Sequence, residues 1–142
     1  MSCIFCDIVA ERAPASFVHR DDDVVAFMDL RPINVGHLLV VPRQHAVLVG
    51  ALEPRIAAAV WATGLRLSAV LRTSGFRCDG VSFYVADGEP AGQEVPHVHL
   101  HVIPRWPDDG FGFRFRADYG ERERFELDVV ALGIRETIRR AE

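Results

Sequence analysis

Three histidines, His97, His99 and His101, alternate with Val98, Leu100 and Val102 between Pro96 and Pro104. In an extended strand successive side chains point to opposite faces, so the imidazoles share one face and the aliphatic side chains the other. Residues two apart on a strand lie about 7 Å from each other. A row of polar rings beside a hydrophobic face needs partners, which points to a cleft or a metal rather than to dry packing. A lone histidine reads as structural, whereas three in alternation do not. A flat strand spaces the ring nitrogens too widely for one ion at bonds of about 2.0–2.1 Å, so at most one or two of the three bind metal.

Two other features carry chemistry. Cys3 and Cys6 form a Cys-x-x-Cys pair, which is half a metal site, a redox pair or a coincidence. Thioredoxin-type pairs follow a strand and open a helix, and only two residues precede this pair, which counts against the redox reading. Residues 86–95 are rich in turn formers. Backbone N–H groups there could face an anion, with Gly92 permitting close approach and Gln93 offering an amide. The stretch matches neither the nucleotide P-loop nor the dinucleotide fingerprint, and without the histidines beside it reads as a turn.

The elements that must position these groups follow from periodicity. Residues 24–28 and 38–41 are short apolar runs bounded by turn formers, and could pair as a hairpin with a longish loop. From 54 to 72, Ile56, Val60, Leu67 and Leu71 recur at helical spacing, with Pro54 suited to a first turn and Gly75 to a C-terminal cap. Val81, Phe83 and Val85 alternate with polar residues as in a strand, and the histidine strand spans 97–103, its flanking prolines suiting strand ends. Phe111, Phe113 and Phe115 alternate with Gly112, Arg114 and Arg116, and a final helix covers about 127–140.

The 142 residues show no repeat and no linker, so a single domain, 1–142, is expected. The net charge of −4 provides no basic field to draw the chain onto nucleic acid or an anionic membrane, and any anionic substrate must be held by local donors. No run approaches the roughly 18 apolar residues that span a bilayer, and the N-terminus lacks a signal-peptide pattern, so a cytoplasmic location is expected. The three cysteines, an odd number, argue against a disulfide framework, and Cys78 reads as a minor core residue.

His97-Val-His-Leu-His-Val-Ile resembles the signature of the histidine triad family. The likeness extends to Cys3-Ile-Phe-Cys, to Val25-Ala-Phe-Met-Asp-Leu, to Gly36-His-Leu-Leu-Val-Val-Pro-Arg-Gln-His45 and to Ala91-Gly-Gln, and leaves the tail after about residue 106 unmatched. The resemblance implies an α+β fold, an antiparallel sheet with one long helix and a C-terminal helix, and a homodimer in which two protomers join their sheets. It also implies hydrolysis at the α-phosphate of purine nucleotide conjugates. His99 would attack phosphorus and expel the leaving group, giving a nucleotidyl-His99 intermediate that water hydrolyses. No metal is needed for this step. His101 would contact the phosphate or help protonate the leaving group; the nucleotide-transferring branch commonly carries glutamine there, so a histidine favours hydrolysis.

By position in the family, Asp29 would bind the ribose hydroxyls, Phe5, Ile8, Phe27 and Leu30 would surround the base, and Gly92, Gln93 and Glu94 would line the phosphates. The four apolar residues also read as core, and Asp29 as the cap of the turn before Pro32. His37 resembles a histidine that supports the triad from a neighbouring strand. Relatives with the N-terminal cysteine pair complete a structural zinc site with two histidines, which here are His45 and His97; a metal-free form is the alternative. No redox cofactor is implied.

Two departures bear on substrate. Ala86 stands where an asparagine is usual, removing an amide donor. Glu94 replaces a serine, and its carboxylate could favour a cationic amine leaving group. The principal expectation is a nucleoside phosphoramidase-like hydrolase. The alternatives are a dinucleoside polyphosphate hydrolase or phosphorylase, and a non-catalytic nucleotide-binding regulator.

Overall fold

The computed structural model describes residues 3–142, in two compact units, one reaching Phe111 and the other spanning Gly112–Glu142. The first holds an antiparallel five-stranded sheet. Its elements in chain order are α1 (Ile4–Val9), β1 (Phe17–Arg20), β2 (Val24–Met28), β3 (Leu38–Pro42), α2 (Pro54–Thr73), β4 (Gly80–Tyr84) and β5 (Leu100–Arg105), and the strands lie in the order β1-β2-β3-β5-β4. This is the expected α+β architecture with one long helix.

β2 and β3 form the expected hairpin, in register from Val24 opposite Pro42 to Met28 opposite Leu38. Their side chains are apolar on both faces because both faces are covered. Val24, Ala26, Leu38 and Val40 join Leu100 and Val102 against Val60, Leu67 and Leu71 of α2. The alternate residues Val25, Phe27, Leu39 and Val41 pack on Phe5 and Ile8 of α1. Helix α2 sits so close to β5 that a Cβ placed on Gly64 would lie 2.6 Å from Leu100 Cδ2.

Two short elements carry no signal in the sequence pattern. α1 has six residues and β1 four, both below the length at which periodicity discriminates. Cys3 is the N-cap of α1, so the cysteine pair does open a helix.

The histidine segment departs from its expected span. β5 begins at Leu100, and of the three histidines only His101 lies in the ladder. The pairing of β3 with β5 ends at Val40 opposite Leu100. Beyond that point the ladder groups turn elsewhere: Val98 N–H donates to the Ala46 carbonyl at 2.8 Å, and the Pro42 carbonyl accepts from the His97 ring at 2.9 Å. Pro104 lies within β5 rather than beyond it.

In the second unit, residues 112–116 form neither strand nor helix, and α3 (Arg124–Ala141) starts three residues before the expected 127. Phe115 stacks on Tyr119 at 4.1 Å, and α3 has no buried residue. Among the described residues no helix is long and apolar enough to cross a membrane.

Candidate active site

The site is built on the α1 face of the sheet, where His101 lies between its cross-strand partners Leu39 and Tyr84. His99 and His101 bring their ring centroids to 4.8 Å, with His101 in the ladder and His99 just outside it. Phe5 packs edge-on against both His97 and His99.

Hydrogen bonds to groups of fixed polarity decide the tautomer of each ring. His99 Nδ1 lies 2.7 Å from the His97 carbonyl, which can only accept, so Nδ1 carries the proton and Nε2 keeps its lone pair. His97 Nε2 donates to the Pro42 carbonyl, leaving the Nδ1 lone pair free. The third assignment runs through His37. The Ile33 N–H, which can only donate, lies 3.1 Å from His37 Nδ1, so the His37 proton is on Nε2. That proton faces His101 Nδ1 at 2.9 Å, and His101 Nε2 is therefore an N–H donor. A nitrogen with an open lone pair and a hydrogen-bond donor thus stand on adjacent rings.

Burial keeps His101 and His37 neutral. Burial, followed by the neighbouring His99 and His37, pushes the His101 pKa down to about 4, while the Asp29 carboxylate opposes the shift. His37 is likewise lowered, chiefly by burial and against Asp29. Neutral imidazoles near pH 7 are what nucleophilic attack and neutral hydrogen-bond donation require.

His37 owes its position to a tight turn. Gly36 has φ +93°, a left-handed conformation that glycine adopts without strain. Asn34 braces the same turn: its side-chain amide N–H group donates to the Pro104 carbonyl and to Asp109 Oδ2, each at 2.8 Å, and its backbone carbonyl accepts from the His37 backbone N–H. The Arg105 guanidinium binds the Asp109 carboxylate through two nitrogens and holds it well below the usual carboxylate range.

Asp29 takes one of its expected settings, the turn cap, and adds an approach to two histidine rings that the sequence did not indicate. Oδ1 accepts the Arg31 N–H at 2.8 Å, capping the turn before Pro32, while Oδ2 lies 3.5 Å from His37 Nε2 and 3.9 Å from His101 Nδ1. Phe5, Ile8 and Phe27 are buried together in the α1 core, and Leu30, at 96% exposed, is not part of that cluster.

Residues 88–93 form a loop closed on itself. Gly88 and Gly92 both have positive φ, and the N–H groups of Ala91, Gly92 and Gln93 donate to carbonyls of Gly88 and Glu89. The Gln93 side chain completes it, accepting from Gly88 N–H at 2.9 Å and donating to the Val47 carbonyl at 2.7 Å. Ala86 is buried, and Asp87 is engaged by the Val49 N–H. Glu94 pairs with Arg31, a residue the sequence reading did not single out. Tyr84 was also missed. Its ring is 5.6 Å from His101 and its hydroxyl donates to the Ala91 carbonyl, a role visible only once β4 is paired with β5.

Cys3, Cys6, His45 and His97 converge, with one ligand atom from each within 4.8 Å of the others. His45 Nδ1 and His97 Nδ1 are 3.3 Å apart, and the sulfur-to-nitrogen distances are 3.5 Å for Cys3 and His97, 3.2 Å for Cys6 and His45, and 3.6 Å for Cys6 and His97. A tetrahedral zinc with ordinary bond lengths has edges of about 3.3 Å between nitrogens and about 3.6 Å between nitrogen and sulfur. The donor set fits that ion, and the Pro42 carbonyl already fixes His97 in the tautomer a metal needs. Asp29, His37 and His101 also approach within 4.8 Å of one another. That group does not fit: if His37 Nε2 bound a metal, its proton would move to Nδ1 and confront the Ile33 N–H.

Comparison with known proteins agrees with this geometry. A family model described as the HIT domain matches residues 10–108. An uncharacterised HIT-like protein of Methanocaldococcus jannaschii is 39% identical over 134 residues, covering 94% of this chain and 98% of that protein. The crystal structure of a HIT family protein from Bacillus anthracis superposes with a TM-score of 0.85 at 33% identity, covering 96% of each chain. A zinc-bound histidine triad family protein from Mycobacterium smegmatis gives a TM-score of 0.75 at 40% identity, covering 83% of this chain and 85% of that one. With the triad, the fold and these matches in agreement, the chain belongs to the HIT domain family.

Proposed function

We propose that the protein is a nucleotide hydrolase that cleaves purine nucleotide conjugates at the α-phosphate through a nucleotidyl-His99 intermediate. The observation that carries this reading is the pair of opposed tautomers: a lone pair on His99 Nε2 beside an N–H on His101 Nε2. In the first step His99 Nε2 forms a bond to phosphorus as the bond to the leaving group breaks, and the leaving group departs with its electron pair and takes up a proton. His101 Nε2–H donates to the phosphate or to the departing atom. In the second step water attacks the same phosphorus, the bond to His99 breaks, and nucleoside monophosphate is released.

Cys3, Cys6, His45 and His97 would hold a structural zinc, a reading supported by their tetrahedral spacing and by the zinc-bound relative. When bound, the ion ties the N-terminus to the segment that carries His99. A homodimer through the exposed edge of β4 is supported by the open edge position of that strand and by half-exposed Trp61 packed on Phe83.

The test is release of nucleoside monophosphate from adenosine 5′-phosphoramidate in chelator-treated buffer by the wild type and by His99→Ala. Turnover by the wild type alone supports the reading. Nucleotide binding by both with turnover by neither replaces it with a nucleotide-binding regulator. Buried Ala86, which offers no side-chain donor, favours that second reading. With inorganic phosphate as acceptor, release of nucleoside diphosphate would instead identify a phosphorylase.

A further inference from the structure

His101 lies between two strands, and a ring reaches it from each side. From the β3 side His37 donates to His101 Nδ1 at 2.9 Å. From the β4 side Tyr84, directly opposite His101 in the register and so on the same face, brings its ring centroid to 5.6 Å at an interplanar angle of 47°. The Tyr84 hydroxyl then serves the loop after β4. It donates to the Ala91 carbonyl at 2.8 Å, and a Cβ built on Gly92 would lie 3.6 Å from the same oxygen. One side chain therefore touches the His101 ring and the 88–93 loop together.

That loop holds its own shape but not its own place. Its N–H groups at Ala91, Gly92 and Gln93 are engaged by its own carbonyls, and Gly88 N–H by the Gln93 side chain, so it moves as a unit whose position depends on what ties it down. Gln93 ties it to the Val47 carbonyl at 2.7 Å, in the segment after β3, and Tyr84 ties it to the strand pair that carries His101. Burial does not account for a tyrosine here: at the last residue of β4 it is 38% exposed, and its hydroxyl bonds to the carbonyl of an exposed loop residue.

We propose that Tyr84 is a positioning residue that fixes the 88–93 loop against the triad strand, its hydroxyl setting the loop and its ring setting the His101 imidazole. The two parts act on different quantities. Without the hydroxyl the loop spends time in positions that do not meet a phosphate, and apparent affinity falls with the fraction of loop left in place. Without the ring His101 loses its packing partner on the β4 side, and its Nε2–H is no longer aimed at one point. This inference rests on the functional reading above, in which the phosphate lies beside His101 and residues 92–94.

The test compares Tyr84→Phe, which keeps the ring, with Tyr84→Leu, which keeps neither part. Three readouts are taken: AMP affinity by titration calorimetry, steady-state kinetics on adenosine 5′-phosphoramidate, and amide hydrogen exchange. Tyr84→Phe is expected to weaken AMP binding and raise KM about fivefold, the scale of one hydrogen bond, with kcat within about twofold of the wild type. Its amides at 91–93 should exchange faster while those of β2 and β3 keep the wild-type rate, a local effect that general destabilisation would not produce. Tyr84→Leu should show the same loss of affinity and lower kcat about fivefold as well, the scale of one aromatic pair. A Tyr84→Phe variant with wild-type AMP affinity and loop exchange overturns the proposal, as does one that loses kcat at an unaltered KM, or a Tyr84→Leu variant with full kcat. Absence of turnover in the wild type defeats the hydrolase reading, while AMP affinity and loop exchange still decide the role of Tyr84.

Discussion

Replacing His37 tests the tautomer chain on which the site depends. His37 is 1% exposed, and its Nε2–H is the partner of His101 Nδ1 at 2.9 Å. His37→Phe keeps most of the volume and removes that donor. His101 Nδ1 is then a buried acceptor without its partner, a deficit of about 1–3 kcal/mol. The ring can escape it by moving its proton from Nε2 to Nδ1, which turns the donor facing the phosphate into an acceptor. If the deficit falls on the transition state, kcat drops by roughly 5- to 150-fold, with nucleotide affinity changed far less. His37→Gln restores an N–H near the Nε2 position and should recover much of the loss. The assay pairs steady-state kinetics with ring-nitrogen NMR, which reads tautomers directly. A wild-type spectrum with the His101 proton on Nδ1 refutes the chain, as does a His37→Phe variant with full kcat.

Further expectations follow from burial and donor geometry. As purified, the protein should contain about one zinc per chain, and Cys6→Ser should lose the metal and lower Tm, measured by elemental analysis and calorimetry. The depressed pKa of His101, about 4 against an ordinary value of 6.5, means that the unfolded chain binds more protons between these values. Stability should therefore fall as pH drops from 6.5 to 4, by roughly 3 kcal/mol from this residue, as followed by urea denaturation at pH 7, 5.5 and 4.5. Gly64→Ala in α2 sets a gain of about 1 kcal/mol in helix propensity against a Cβ that would meet Leu100 Cδ2 at 2.6 Å in the buried core, so the variant should fall short of that gain; a rise in urea midpoint worth the whole of it would contradict the packing of α2 on β5.

What the sequence shows of the site is its inventory, and what it hides is its polarity. The alternation at His97, His99 and His101 announces the cluster, and the family resemblance brings Cys3, Cys6 and His45 to His97. Which nitrogen of each ring carries the proton depends on the Pro42 carbonyl, the His97 carbonyl and the Ile33 N–H, backbone groups that every residue possesses and no pattern marks. Arg31 and Tyr84 were hidden for a related reason: each acts through a partner 63 or 7 residues away that a loop or a strand pairing brings near. The fold was legible where runs were long, as in α2 and the β2–β3 hairpin, and not in α1 or β1, whose few residues are set by packing against Val25, Phe27 and Leu39.

The irregularity at residues 97–99 and the cysteine cluster have a common explanation. A strand continuing through 97–99 would set His99, Val98 and His97 opposite Val41, Pro42 and Arg43 by extension of the β3–β5 register. Because the ladder ends at Leu100, residues 97–99 forfeit the hydrogen bonds that hold a strand in place. The replacements come from side chains and from the next turn: the His97 ring on the Pro42 carbonyl, the His99 ring on the His97 carbonyl, and Val98 N–H on Ala46. Every one of these bonds passes through or beside His97, which is also where Cys3, Cys6 and His45 converge. A metal bound there would anchor the residue whose carbonyl sets the His99 tautomer, so the cluster lies where rigidity of the chain and orientation of His99 depend on the same atoms.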